Sequence, residues 1–116
     1  MTNNRQTGGK GEDIAARYLE ENGYKILERN KHFSRACEVD IIALDKNKTL
    51  VCVEVKTRKS ESLGSPLEAI TKTKYQNIKT GLYSYLSENP QYKNFRIDAI
   101  SIVLYPKLKI EHLKNI

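Results

Sequence analysis

Hydrophobic and polar residues alternate along residues 51–58 with the two-residue period that is typical of a β-strand. One face of this predicted strand carries three valines, Val51, Val53 and Val55. The opposite face ends in Glu54 and Lys56, a carboxylate and an ammonium group that point the same way. A half-buried acid and base side by side indicate a functional site at the end of this strand.

A second strand pattern precedes this one at residues 38–44, and the polar residues 45–49 between the two suit a hairpin loop. An antiparallel hairpin centred near Asn47 pairs positions on one face, namely Leu44 with Leu50, Ile42 with Cys52, Asp40 with Glu54, and Glu38 with Lys56. The same register adds three apolar side chains to the valine face, those of Val39, Ile41 and Ala43.

Asp40 and Glu54 are the candidate metal ligands of this hairpin. Two carboxylates that lie opposite each other on adjacent strands repel unless a positive charge lies between them. Hard carboxylate oxygens suit Mg²⁺, which usually takes one or two protein carboxylates together with waters and substrate phosphate oxygens. The hairpin therefore predicts a divalent-metal site.

A first helix is predicted over residues 11–22, ended by Gly23, and the polar residues 1–10 before it are expected to form a flexible tail. Glu12 lies on the same narrow stripe as Ala15, one turn earlier. Two interpretations of Glu12 stay open. It either faces the site as a third acid or complements the positive N-terminus of the helix.

The remaining elements are a second helix and three further strands. Ser65, Pro66 and Glu68 have the spacing of a capping box and predict a helix from Ser65 to about residue 88. Residues 24–29 are predicted to form a short edge or outer strand, residues 95–104 a later strand, and residues 108–110 a short final strand. Arg96 and Asp98 share one strand face, and an ion pair that fixes the sheet is favoured over catalysis.

Several basic residues are candidate contacts to phosphates. They lie in a predicted loop at residues 30–36, after the site strand and on the second helix, and they are Arg35, Arg58, Lys59, Lys72 and Lys74. A solvated helix face explains Lys72 and Lys74 equally well. Their proximity in sequence to Arg58 and Lys59 favours the substrate side.

Composition describes one domain, residues 11–116, in a chain of 116 residues. The net charge of +6 favours a polyanionic partner, although charge alone is a weak indicator. No apolar run approaches the roughly 18 residues of a membrane helix, so we expect a cytoplasmic protein without a membrane partner. Cys37 and Cys52 lack metal-site spacing, and the hairpin register places them on opposite faces as reduced thiols.

The order of elements, with Asp40 followed by Glu54-Val55-Lys56, resembles the restriction-endonuclease-like fold of the PD-(D/E)XK nuclease superfamily. A longer series of motifs is more specific, and it comprises Gly11-Glu12-Asp13, residues 38–43, residues 53–58, Gly64, and Arg96 with Asp98. The series resembles the YraN family of small bacterial proteins over nearly the whole chain. This resemblance implies an α+β fold, with an αβββαβ core and a mixed central sheet flanked by helices.

The resemblance also implies roles for individual residues. Asp40 and Glu54 become ligands of Mg²⁺ or Mn²⁺, Lys56 the catalytic lysine, and Glu12 matches an extra first-helix acid of resolvase-like members. Val39 replaces the proline of the superfamily name, and Cys37 replaces a glycine that is usual in the YraN pattern. Neither change removes a ligand.

The implied function is that of a metal-dependent nuclease. Its expected partner is nucleic acid, with DNA favoured over RNA and structured or branched DNA favoured as the substrate. The alternative is a non-catalytic nucleic-acid-binding module on the same fold. The sequence leaves open whether the protein works as a homodimer, because no heptad or apolar patch identifies an interface.

Overall fold

Two helices pack on the two faces of a five-stranded sheet in the computed structural model, which describes residues 4–35, 37–60, 68 and 70–116. The elements in chain order are α1 (Asn4–Glu21), β1 (Lys25–Ser34), β2 (Cys37–Leu44), β3 (Leu50–Arg58), α2 (Lys72–Glu88), β4 (Phe95–Val103) and β5 (Lys109–Leu113). The strands lie in the order β1-β2-β3-β4-β5, with β3 and β4 parallel and the other neighbours antiparallel. This arrangement confirms the predicted α+β fold, with an αβββαβ core and a mixed sheet flanked by helices.

The first core cluster lies between α1 and the valine face of the sheet. Ala15, Ala16 and Leu19 of α1 are buried there. They pack against apolar side chains of the three central strands, Ile41, Ala43, Val51, Val53, Ile100 and Ile102. The period-two pattern that predicted this face therefore describes β3 correctly, because each valine of the strand points toward α1.

The β2–β3 hairpin has the predicted register where the two strands pair. Ile41 pairs with Val53, and the ladder continues through to Leu44 and Leu50 at the loop. Asp45 closes that loop by accepting the backbone N–H groups of Asn47 and Thr49 at 2.8 and 2.9 Å. A polar hairpin loop was the expectation for these residues, and it is confirmed.

The second core cluster, under α2, corrects two predictions about side-chain direction. Val39 packs there with Ile42 and Ile78 and does not join the valine face. Cys37 and Cys52 both belong to this cluster, so they do not lie on opposite faces, although both are buried free thiols as expected. The two strands stop pairing beyond Ile41 and Val53. The alternation of side chains counted from the loop therefore assigns residues at the start of β2 to the wrong face of the sheet.

Three element boundaries also differ from the predictions. Residues 4–10, expected to be part of a flexible tail, form the first turns of α1. β1 continues through residues 30–34, which were expected to be a loop, because these residues pair with β2 and Phe33 lies against Gly81 of α2. Asn30 adopts a positive φ of 54°, which an asparagine tolerates within such an irregular strand. β1 is an edge strand, as predicted.

The second helix begins at Lys72, several residues after the predicted start. Thr71 is its N-cap, since its side-chain oxygen accepts the Lys74 backbone N–H at 3.0 Å. The predicted N-cap, Ser65, and the predicted first helical residue, Pro66, lie outside the described residues. The helix ends at Glu88, as expected. No helix in the part of the chain that the structure describes is long and apolar enough to cross a lipid bilayer.

Candidate functional site

The end of β3 opens into a cavity of about 290 Å³ in which acidic and basic side chains meet. β3 contributes Glu54 and Lys56, β2 contributes Asp40, and α2 contributes Lys74 to its lining. Val55, Ile70 and Ala99 complete the lining with apolar surface. The structure therefore brings together the three residues that the hairpin predicted, and it adds a second lysine.

Asp40 lies half-buried where β2 separates from β3. Its Oδ2 accepts a hydrogen bond from the Val55 backbone N–H at 2.7 Å. Val55 lies beyond the last residue pair of β2 and β3, so the Asp40 side chain takes the place of a backbone partner from β2. Burial raises the pKa of the Asp40 carboxyl above its ordinary value, and the Val55 hydrogen bond opposes this shift. The charge of Glu12 adds to the rise, while Lys74 counteracts it.

Glu54 is the most deeply buried acid of the cavity, with 6 % of its surface exposed. Its Oε2 lies 2.7 Å from the Lys74 Nζ, and its buried Oε1 has no hydrogen-bond partner among the described residues. Burial first, and the charge of Asp40 second, raise the pKa of Glu54 to about 7, although Lys74 opposes the shift. This carboxyl is therefore poised between its two protonation states near neutral pH.

The ammonium group of Lys74 reaches the site from the first turn of α2. Burial alone would lower its pKa, but the contact with Glu54 and the charge of Asp40 raise it, so the group stays positively charged. Sequence reasoning placed Lys74 only among the phosphate contacts. The signal that could have found it is Thr71, because an N-cap there puts Lys74 at the helix end nearest the site strand.

Glu12 does not line this cavity. It accepts hydrogen bonds from Arg29 Nε at 3.1 Å and from Asn30 Nδ2 at 3.0 Å. Because α1 begins at Asn4, Glu12 lies inside the helix, and its interpretation as an acid at the helix N-terminus is wrong. Within the described residues no group of three or more His, Cys, Asp or Glu side chains is placed to hold a metal ion. The role of Glu12 as a third acid of the site stays a prediction.

Asp40 and Glu54 fit a hard divalent cation by their donor chemistry. Both offer carboxylate oxygens, and Glu54 Oε1 is a buried acceptor that lacks a hydrogen bond within the described part of the chain. Mg²⁺ commonly uses one or two protein carboxylates and completes its shell with water and substrate oxygens. The donor atoms of the pair are therefore compatible with such a cation.

The basic residues predicted to contact phosphates are dispersed. Lys59 is exposed just after β3, and Arg58 is half-buried, with its Nη2 3.4 Å from Ser101 Oγ. Lys72 is exposed and lines a separate pocket beside Tyr75. Arg35 is exposed in the turn that follows β1. The structure thus places Arg58 at the end of the site strand and Lys59 directly after it, whereas Arg35 and Lys72 lie outside the lining of the site cavity.

Arg96 and Asp98 form the predicted ion pair, with Arg96 Nε 3.0 Å from Asp98 Oδ1. The pair is part of a larger network in which Arg96 also binds Asp45 and the Tyr24 hydroxyl. His112 Nε2 lies 2.7 Å from Asp98 Oδ2 and connects β5 to β4. These contacts join elements of the fold and confirm the structural interpretation of the pair.

The sequence matches the family described as "Uncharacterised protein family UPF0102" over residues 11–102. The chain belongs to the UPF0102 family. This finding confirms the resemblance to the YraN proteins. A UPF0102 protein of Syntrophomonas wolfei is 44% identical over 114 residues, covering 97% of each chain, and one of Chlorobium phaeobacteroides is 42% identical, covering 93% of this chain and 90% of the relative.

Two solved structures are similar at a lower level. A repair endonuclease from Pyrococcus abyssi is 22% identical with a TM-score of 0.48, and it matches 91% of this chain. A complex described as EndoMS-dsDNA2 is 18% identical with a TM-score of 0.44, and it matches 84% of this chain. The UPF0102 chain spans only 41% and 38% of the lengths of these two structures.

Proposed function

We propose that this UPF0102 protein is a metal-dependent nuclease that hydrolyses phosphodiester bonds of nucleic acid, with structured or branched DNA as its substrate. The observation that carries the proposal is the carboxylate pair of Asp40 and Glu54 in a cavity that Lys56 also lines. A half-buried acid beside a buried one, whose Oε1 has no hydrogen-bond partner among the described residues, is unfavourable in a purely structural role. Binding a cation would remove that penalty.

Asp40 and Glu54 would hold Mg²⁺ or Mn²⁺ in this proposal. Such an ion polarises a phosphate oxygen and lowers the pKa of bound water. Lys56 is exposed at the same cavity, where its ammonium group would balance negative charge that develops on the phosphate. The Val55 N–H fixes the Asp40 carboxylate, which keeps one ligand in place before any substrate arrives.

Nucleic acid would be held mainly through its phosphates. Arg58 and Lys59 follow the site strand directly, while Lys72 and Arg35 supply further positive charge at the surface. Contacts of this type give affinity without sequence preference. Cutting both strands of a duplex would require two sites, which a two-fold homodimer supplies. The proposal places the protein in the cytoplasm, where DNA is accessible.

The decisive experiment incubates the purified protein with branched, single-stranded and duplex substrates in MgCl₂ and in MnCl₂. We expect cleavage of at least one substrate, and a loss of at least about 100-fold in Asp40→Asn, Glu54→Gln and Lys56→Ala. Glu20→Gln, at an exposed position of α1, is the matched control and should cut like the wild type. Absence of cleavage on the whole panel, or undiminished cleavage by the three site variants, would disprove the catalytic assignment.

A non-catalytic nucleic-acid-binding module is the second candidate, and the contact between Lys74 and Glu54 favours it. An acid neutralised by a lysine repels phosphate less than a free carboxylate does. This candidate predicts full binding in chelator without cleavage under any condition. Lys72→Ala should then weaken binding to all sequences alike and lower the salt slope by about one unit. An unchanged slope would assign Lys72 to a solvated helix face.

A further inference from the structure

Lys74 already supplies a positive charge at the position where the carboxylate pair needs one. Its Nζ lies 2.7 Å from Glu54 Oε2, and the Glu54 side chain is 7% exposed. This contact joins two elements that are distant in the sequence, since Glu54 lies on β3 and Lys74 on α2. A buried carboxylate that loses such a partner is strongly destabilised unless another cation replaces it.

We propose that Lys74 is a resident counter-cation of Glu54 that a divalent metal ion displaces when it binds the carboxylate pair. The inference rests on the metal site of the proposed function, and it adds a control element to that site. Lys74 is then a positioning residue, because it holds the Glu54 carboxylate in place and does not touch the reacting atoms.

Charge balance favours displacement of Lys74 by the metal ion over binding of both cations to Glu54. Asp40 and Glu54 together carry two negative charges when ionised, and a divalent cation neutralises both. An ammonium group kept in contact with Glu54 would leave an excess positive charge next to the ion in a partly buried cavity. Like charges at such short range repel strongly where the effective dielectric constant is low.

The surroundings of Lys74 give its ammonium group a place to go. A second cavity, of about 420 Å³, is lined by Lys74 and Asp40 together with Glu38, Thr73 and Asn77. The Lys74 side chain is 42% exposed, whereas its backbone N–H is held by the Thr71 cap. A change of side-chain rotamer therefore suffices, and α2 need not move.

The test measures metal affinity without any reaction. The full-length wild type and Lys74→Met are titrated with MnCl₂, and with MgCl₂ in a parallel series, while the melting temperature is followed. If metal binding has to break the contact between Lys74 and Glu54, replacing Lys74 removes the free-energy cost of breaking it. The half-saturating metal concentration should then fall by about ten-fold. Lys79→Met removes the same charge from the same helix away from Glu54, and it should change the midpoint by less than about two-fold.

The possible results are distinguishable from one another. If metal stabilises the wild type but the midpoint of Lys74→Met is unchanged or higher, Lys74 and the metal share Glu54 and the displacement is wrong. If metal stabilises neither the wild type nor Lys74→Met, the metal site itself fails and the inference fails with it. Circular dichroism checks that the variant is folded, and Lys74→Gln, which keeps a polar side chain, replaces Lys74→Met if the latter is not.

Discussion

The backbone of Gly11 in α1 lies directly against the side chain of Thr57 in β3. A Cβ atom at position 11 would overlap the side-chain atoms of Thr57. The contact brings α1 close to the strand that carries Glu54 and Lys56, at the end where the site cavity opens. Gly11 is buried, so an added methyl group could not turn into solvent.

We expect Gly11→Ala to destabilise the protein by about 1–3 kcal/mol, because overpacking forces α1 or Thr57 to shift. Unfolding in urea measures the change. Gly9 is the matched control, since a Cβ there meets no atom of the described residues within 4 Å. Gly9→Ala should stabilise the helix by about 1 kcal/mol, the usual difference in helix propensity. A stabilising effect of both substitutions would show that α1 does not approach Thr57 so closely.

Asp98 is the buried centre of the network between β4 and β5. It accepts hydrogen bonds from His112 Nε2 at 2.7 Å, the Asn115 backbone N–H at 2.9 Å and Arg96 Nε at 3.0 Å. Burial alone would raise the pKa of Asp98, but these hydrogen bonds outweigh burial and lower it. The carboxylate is fully buried, so its partners depend on its charge.

Asp98→Asn should therefore destabilise the fold by about 3–5 kcal/mol, since it removes the buried counter-charge of the Arg96 guanidinium. Asp13→Asn provides the comparison. Asp13 also contacts an arginine, Arg29, at 2.7 Å, but its side chain is 71% exposed. The loss at Asp13 should stay below about 1 kcal/mol. Equal effects in urea unfolding would contradict the assignment of Asp98 as the network centre.

The hairpin and its acidic pair could be predicted from the sequence because their geometry is local. A short polar loop fixes which residues face each other, and alternation then assigns each side chain to a face. That reasoning placed Asp40, Glu54 and Lys56 together. It failed for Val39, because this residue lies outside the part of β2 that pairs with β3. The pairing therefore does not fix the face of the sheet on which its side chain lies.

Lys74 could not be found in the same way. Its contact with Glu54 depends on where α2 begins and how the helix is rotated over the sheet, which are properties of tertiary packing. Ser65 and Thr71 both satisfy the local rule for an N-cap, and sequence alone chose the earlier one. Residues 30–34 were misassigned for a related reason, since an edge strand with polar residues lacks the apolar period that marks a strand.

Asp40→Asn tests whether the acid pair is a metal site or a structural hydrogen-bonding pair. The substitution removes the charge that raises the pKa of Glu54, and the asparagine carbonyl can still accept the Val55 N–H. We expect the melting temperature in chelator to rise by about 4 °C, which corresponds to relief of about 1 kcal/mol in a domain of this size. Differential scanning fluorimetry measures this shift.

Metal should stabilise only the protein whose carboxylate pair is intact. Mg²⁺ or Mn²⁺ should stabilise the wild type and do little for Asp40→Asn, since a ligand adds stability only where its site is intact. Glu20→Gln controls for loss of an acidic charge and should respond to metal like the wild type. Asp40 would instead be a structural acceptor if its variant were less stable in chelator and metal shifted both proteins equally.

Glu54 should make the stability of the metal-free protein depend on pH. The folded-state pKa of about 7 exceeds the ordinary value of 4.5, so between these pH values the folded protein keeps a proton that the unfolded chain has lost. The stabilisation is fully present below pH 4.5, and it is lost as pH rises to about 7. A shift of this size corresponds to about 3 kcal/mol.

Urea unfolding in chelator, repeated from pH 4.5 to 8, should therefore show the wild type losing stability relative to Glu54→Gln as the pH rises. Glutamine has the shape of the protonated acid and does not titrate, so the difference between the two curves isolates Glu54. The difference should level off once the pH has risen past the folded-state pKa of about 7, where the carboxyl becomes ionised in both states. Parallel curves across this range would mean that Glu54 is already ionised in the folded protein, with Lys74 outweighing burial and the charge of Asp40.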